Sequence, residues 1–231
     1  MKTVGIIGGI APESTVEYYR LIIALYRSRI RDDSYPQIII NSIDMKRMLD
    51  LIGTNDLAGV AEFLLEELRK LAQAGADLGF VASNTPHIVF DEIQRQSPLP
   101  LVSIVEATCA TAQVLGLKKV GLLGTRFTMQ GQFYPKVFSK QGIALIVPDA
   151  EEQDYIHDKY MGELVNGIFL PETREGLLAI VDRLKQRAGI QGVILGGTEL
   201  PLILRDTADR EIPFLDTTRI HAERVVAQML A

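Results

Sequence analysis

At 231 residues, the chain has the length of one large domain or two small ones, and its 47% hydrophobic residues supply a sizeable core. The 24 basic and 29 acidic residues give a net charge of −5 without any basic run, which argues against nucleic acid or an anionic membrane as partner. One cysteine, Cys109, excludes an intramolecular disulfide framework and a zinc site built on several thiolates and fits a reducing, cytoplasmic setting, while the lack of any apolar run of about 18 residues excludes a membrane-spanning helix.

Val4 to Ile7 is a continuous apolar run of strand length, as in a strand covered on both faces. It is too short for the apolar region of a secretory signal and breaks at Gly8-Gly9. Pro12 suits a first helical turn, and Val16, Tyr19, Ile22 and Ile23 follow at helical spacing. Gln37 to Ile40 reads as a second buried strand. Leu57 to Ala74 is the clearest helix, with Leu57, Val60, Ala61, Leu64, Leu68 and Leu71 on one face and Gly75 as its stop. The alternation of Glu66, Glu67, Arg69 and Lys70 reads as its solvated face. Leu78 to Ala82 is the third strand, Leu101 to Ile104 reads as another, and a helix carrying Cys109 follows. Strand and helix in alternation predict a doubly wound parallel α/β sheet.

The second half repeats the first. Lys2-Thr3-Val4-Gly5-Ile6-Ile7-Gly8 returns 116 residues later as Lys118-Lys119-Val120-Gly121-Leu122-Leu123-Gly124. Ala74-Gly75, a strand and Ser83-Asn84-Thr85-Pro86 return at an offset of 114 as Ala188-Gly189, a strand and Gly197-Thr198-Glu199-Leu200. Leu99-Pro100-Leu101-Val102 is matched by Glu211-Ile212-Pro213-Phe214-Leu215. The repeat predicts two pseudo-symmetric parallel-sheet domains, residues 1–98 with 209–231 and residues 99–208, the last strand and the helix Ile220 to Leu230 returning to the first. Ligands of parallel sheets sit beyond the carboxyl ends of the strands. The loops at 83–87 and 197–201 are therefore expected to face one another across a cleft between the domains.

Ser83, Asn84 and Thr85 follow a buried strand and precede Pro86 and His87. One reading is a capped helix start. The other is that hydroxyl, amide and backbone N–H groups converge on a carboxylate. Thr198 and Glu199 offer similar chemistry from the other half, and the match favours a small anionic ligand. Gly5, Gly8 and Gly9 lack dinucleotide-binding spacing, and His87, His157 and His221 lack metal-ligand spacing. His87 either caps the helix or orients Ser83. Cys109, among alanines on a helix, reads as a small core residue.

These segments resemble the aspartate/glutamate racemase family. The resemblance rests on Lys2 to Gly9, Pro12-Glu13-Ser14-Thr15 with Tyr18-Tyr19, Ser83 to His87, Leu123-Gly124-Thr125 with Thr128-Met129 and Phe133-Tyr134, Gly196 to Glu199, and Asp216-Thr217 with His221-Ala222. It implies two doubly wound domains with the site between them, no cofactor, no metal, a homodimer, and inversion of the α-carbon of an amino acid, aspartate, glutamate or a broader set. The family's two-base mechanism takes one cysteine from each half. Here those positions are Ser83 and Gly197, so the resemblance implies impaired racemisation; the alternative is an inactive homologue that binds an amino acid or small carboxylate. One-sided decarboxylation, as in related arylmalonate enzymes, ranks last because its cysteine is missing too. By the same resemblance Asn84, Thr85, Thr125 and Thr198, with Glu199 beside them, bind the substrate. The positions that hold an acidic side chain are Leu49 and Val165, and Lys46, Arg47 and Lys159 lie nearby but out of register.

Overall fold

The structure is a computed structural model and describes residues 1–204 and 211–231. The chain divides into two compact units, Met1–Ile104 with His221–Ala231, and Val105–Ile220.

In the first unit, β1 (Val4–Gly8), α1 (Pro12–Arg29), β2 (Ile38–Ser42), α2 (Met45–Gly53), α3 (Leu57–Gln73), β3 (Leu78–Val81) and α4 (Phe90–Gln96) alternate as the patterning predicts. The three strands pair in parallel in the order β2-β1-β3. The expected strand at 101–104 reduces to one parallel bridge, Leu101 to Gly79. Pro100 and Gly79 each accept one backbone bond there, at 2.9 and 3.0 Å.

Two details of this unit depart from the periodicity. Tyr18, Ile22 and Tyr26, four residues apart, are the large side chains that α1 buries, against Val4, Ile6, Phe80 and Val226. Val16 and Tyr19 are 46% and 45% exposed, because the face that packs on the sheet is the line of Tyr18, Ile22 and Tyr26 at four-residue spacing. β2 lies at the sheet edge and is half-covered, with Ile40 exposed. On α3 the expected face is buried except for Leu57, which is half-covered. Glu67 is buried as well and accepts hydrogen bonds from Asn41 Nδ2 at 2.6 Å and Lys70 Nζ at 2.7 Å. It does not belong to the solvated face.

In the second unit, α5 (Ile104–Val114, shared with the first at Ile104), β4 (Lys119–Gly124), α6 (Arg126–Gln130), α7 (Phe133–Phe138), β5 (Ala144–Ile146), α8 (Ala150–Gly162), α9 (Pro171–Ala188), β6 (Val193–Gly196), α10 (Leu200–Ile203) and β7 (Phe214–Asp216) lead into α11 (Thr217–Leu230). The parallel order is β5-β4-β6-β7. This repeats the first unit, where β2, β1, β3 and the Leu101 bridge stand in the same order. The core packs Leu123, Tyr160, Leu177, Val181, Leu195 and Leu200 together.

The crossing points differ from the expected domain limits. The crossing expected at 98/99 falls after Ile104, because Leu101 pairs with β3 of the first unit. The return expected at 209 lies outside the described residues. The strand that follows it, β7, pairs with β6 of the second sheet, and the chain rejoins the first unit only at His221. In both halves the crossing comes just after the fourth sheet position.

Candidate active site

In the first unit, Ser83, Asn84, Thr85 and His87 follow β3 and are all buried. Thr85–Val89 forms a five-residue 3-10 turn, and the Asn84 side chain makes no cap hydrogen bond. Pro86 stands in the first turn, as expected, but Asn84 does not cap it through its side chain. His87 is fixed on both ring nitrogens. Its Nδ1–H donates to the Ser83 carbonyl at 3.0 Å, and Nε2 accepts from the Ile104 amide at 3.2 Å. Those partners require a neutral ring, and burial, with His221 adding to it, pushes its pKa down to about 3. The ring stacks on Phe90 at 4.8 Å. His87 thus orients the Ser83 backbone.

A second buried histidine sits close by. His221 Nε2–H donates to the Val102 carbonyl at 3.0 Å, leaving Nδ1 to accept from the Tyr18 hydroxyl at 2.9 Å. Burial lowers its pKa to about 4. The two imidazole centroids are 6.4 Å apart. Beyond β1, Gly9 has φ +84, and its amide donates to Thr15 Oγ1 at 2.8 Å. A Cβ there would lie 2.6 Å from the Ile43 carbonyl. Gly9 serves a close approach of backbone to backbone.

In the second unit, Gly124 and Gly196 are register partners at the ends of β4 and β6. The residues that follow them, Thr125 and Gly197, therefore leave the sheet side by side. Thr125 caps α6, its Oγ1 accepting from the Thr128 amide at 3.3 Å. Thr198 and Glu199 are buried. Thr198 donates to Glu199 Oε2 at 3.0 Å, and the Tyr160 hydroxyl donates to the same oxygen. Burial, and then the Glu199 charge, raise the Tyr160 phenol well above its ordinary value. A Cβ on Gly197 would stand 2.8 Å from both Cζ and Oη of Tyr160. The phenol therefore fills the space that a side chain at 197 would need.

Leu49 is half-buried on α2, and Val165 packs on the second core. The cations near them are engaged elsewhere. Lys46 pairs with Asp50, Lys159 pairs with Glu163, and the Arg47 guanidinium lies 4.4 Å over the Phe63 ring. Cys109 is buried on α5, and burial raises its thiol. Among the described residues, no group of three or more His, Cys, Asp or Glu could hold a metal ion, and no helix is long and apolar enough to cross a membrane.

Sequence reasoning missed Tyr160 and the Tyr18–His221 pair. His221 carried a signal in its Asp216-Thr217 context. Tyr160 carried none, since it stands apart from the matched segments.

A family model for the Asp/Glu/hydantoin racemases matches residues 7–225. The chain belongs to this family. It is 27% identical to the broad specificity amino-acid racemase RacX of Bacillus subtilis (strain 168), across 99% of this chain and 98% of that protein. A Yersinia pestis structure, provisionally assigned as an Asp/Glu racemase, matches with a TM-score of 0.90 and 34% identity over the whole of both chains. An aspartate racemase homologue from Pyrococcus horikoshii OT3 matches with a TM-score of 0.85 and 35% identity, again over both whole chains. Among the Asp/Glu/hydantoin racemases so compared, this chain shares the parallel-sheet α/β fold from end to end.

Proposed function

We propose that this protein is a cofactor-independent amino-acid racemase with a substrate range broader than aspartate and glutamate. The observation that carries the reading is the pair of buried polar segments, Ser83-Asn84-Thr85 and Gly197-Thr198-Glu199, each beyond the equivalent strand of its own unit in a chain of this family. In the proposal both segments serve one substrate. The Asn84, Thr85 and Thr125 side chains and the Thr198 backbone N–H hold its α-carboxylate, and these donors stabilise the charge that develops when the α-proton leaves. In the proposal the two proton transfers fall to the positions of Ser83 and Gly197. Leu49 and Val165 offer no charge to a side-chain carboxylate, which supports apolar or mixed substrates and agrees with the breadth in the RacX name. We place the protein in the cytoplasm as a homodimer.

The missing thiols set the rate. A thiolate with an unperturbed pKa of about 8.5 is a ready base near neutral pH, and a serine hydroxyl is a far weaker one. Racemisation is therefore expected to be slow. The same substitutions favour a second reading, a homologue that binds an amino acid without turning it over. Incubating single enantiomers of a panel of amino acids in D2O separates the two. Deuterium at the α-carbon with loss of optical rotation supports racemisation. Thermal stabilisation by an amino acid without exchange would replace it by binding.

A further inference from the structure

Resting on the racemase reading, we propose that Tyr160 supplies, with Glu199, the proton-transfer group of the second unit that the residue at position 197 cannot. Three observations converge on that hydroxyl. Gly197 has no side chain, and a Cβ on it would fall 2.8 Å from Tyr160 Oη, so the phenol reaches the space where a residue 197 side chain would begin. The hydroxyl donates to Glu199 Oε2, and Thr198 donates to that same oxygen at 3.0 Å, so the proton has a fixed acceptor. Tyr160 reaches this point from α8, held by the core that includes Leu164, Leu177 and Leu200.

The chemistry is a relay. The α C–H bond breaks and its electron pair stays on the substrate, delocalised into the α-carboxylate. The proton passes to the Tyr160 oxygen as the phenol proton passes to the Glu199 carboxylate. The phenol is neutral before and after, which fits its strongly raised pKa. Reversal of the same two transfers delivers a proton to that face of the carbanion. Glu199 acts as the base through Tyr160, and no oxidant or further reactant is required.

The test measures α-hydrogen exchange in D2O by proton NMR for the wild type, Tyr160→Phe and Glu199→Gln, with each enantiomer of the amino-acid panel. Tyr160→Phe keeps the ring that fills the core and removes only the hydroxyl. The relay predicts that its kcat for exchange falls by about 10²-fold or more, with KM within about threefold and an unchanged circular dichroism spectrum; a purely structural tyrosine would not split the two constants so. Exchange by Tyr160→Phe within twofold of wild type would overturn the role of Tyr160 and leave the racemase reading intact. Absence of exchange by the wild type with every amino acid would overturn both. If Tyr160→Phe fails to fold, Glu199→Gln decides: full-rate exchange by it overturns the relay, and loss of exchange in a folded protein supports it.

Discussion

The two buried histidines make stability depend on mild acid. His87 and His221 hold folded pKa values of about 3 and about 4, against about 6.5 in an unfolded chain. A lowered folded value means that the unfolded state binds more protons between the two values, so stability is complete above pH 6.5 and falls as the pH drops. At pH 5 both rings remain neutral in the fold, while each unfolded imidazole gains about 2 kcal/mol from protonation, or about 4 kcal/mol for the pair. That is a large part of the stability of an ordinary domain, about 5–15 kcal/mol. Urea unfolding of wild type and His87→Gln at pH 7.5 and 5.0 reads the effect. Glutamine keeps one donor and one acceptor but does not titrate. The wild type should lose about 2 kcal/mol more than the variant between the two pH values, whatever the variant costs at pH 7.5. Contributions from carboxylates and from His157 are common to both proteins and cancel. Equal pH losses for the two would refute the claim that His87 is buried neutral with its ring committed to Ser83 and Ile104.

Other substitutions probe single contacts. Gly197→Cys, which restores the family's residue type, should destabilise by about 1–3 kcal/mol through overpacking and lower the melting temperature; Tyr160→Phe should not relieve it, because Cζ is as close as Oη. Glu67→Ala should cost about 1–3 kcal/mol, since it leaves the half-buried Asn41 amide without its acceptor, whereas exposed Glu66→Ala should stay within about 0.5 kcal/mol in the same melts. Thr125→Ala should cost about 1 kcal/mol of cap energy and raise the KM for exchange. Cys109→Ala should keep turnover within about twofold, and the native thiol should alkylate with iodoacetamide far more slowly than the unfolded one, because burial keeps it protonated and covered.

The parallel sheets were legible because strands buried on both faces write themselves as unbroken apolar runs, and Val4 to Ile7 with Val120 to Leu123 are such runs. The strand-end segments were legible for a related reason. A parallel sheet presents its loops at one edge, so residues that follow matched strands must occupy matched places. What escaped was set by tertiary packing. Tyr18 and Tyr26 take the buried side of α1 because, in line with Ile22, they bury two aromatic rings where Val16 and Tyr19 would bury one. Glu67 is buried because Asn41, on a strand remote in sequence, supplies its partner. The crossing after Ile104 depends on the single bridge from Leu101 to Gly79, too small a feature for any periodicity.

The duplication also explains why the chemistry of the second unit could not be read from the first. Repeat logic transfers a residue only to its matched position, and Gly197 occupies the position matched to Ser83. A helix that packs beneath a strand end can, however, send a side chain into the place a neighbour vacates, provided the vacated place is large enough. Replacing any side chain at 197 by hydrogen opens that room, and the Tyr160 ring occupies it. The two changes are then a coupled pair. With Gly197 the phenol reaches the strand end and Glu199. With a larger residue at 197 it could not stay where it is. A tyrosine in this place is therefore expected only where position 197 is glycine, and Tyr160 and Gly197 should show strong non-additivity in a double-mutant cycle on exchange rate. Independent, additive effects would mean that the ring fills a void and nothing more.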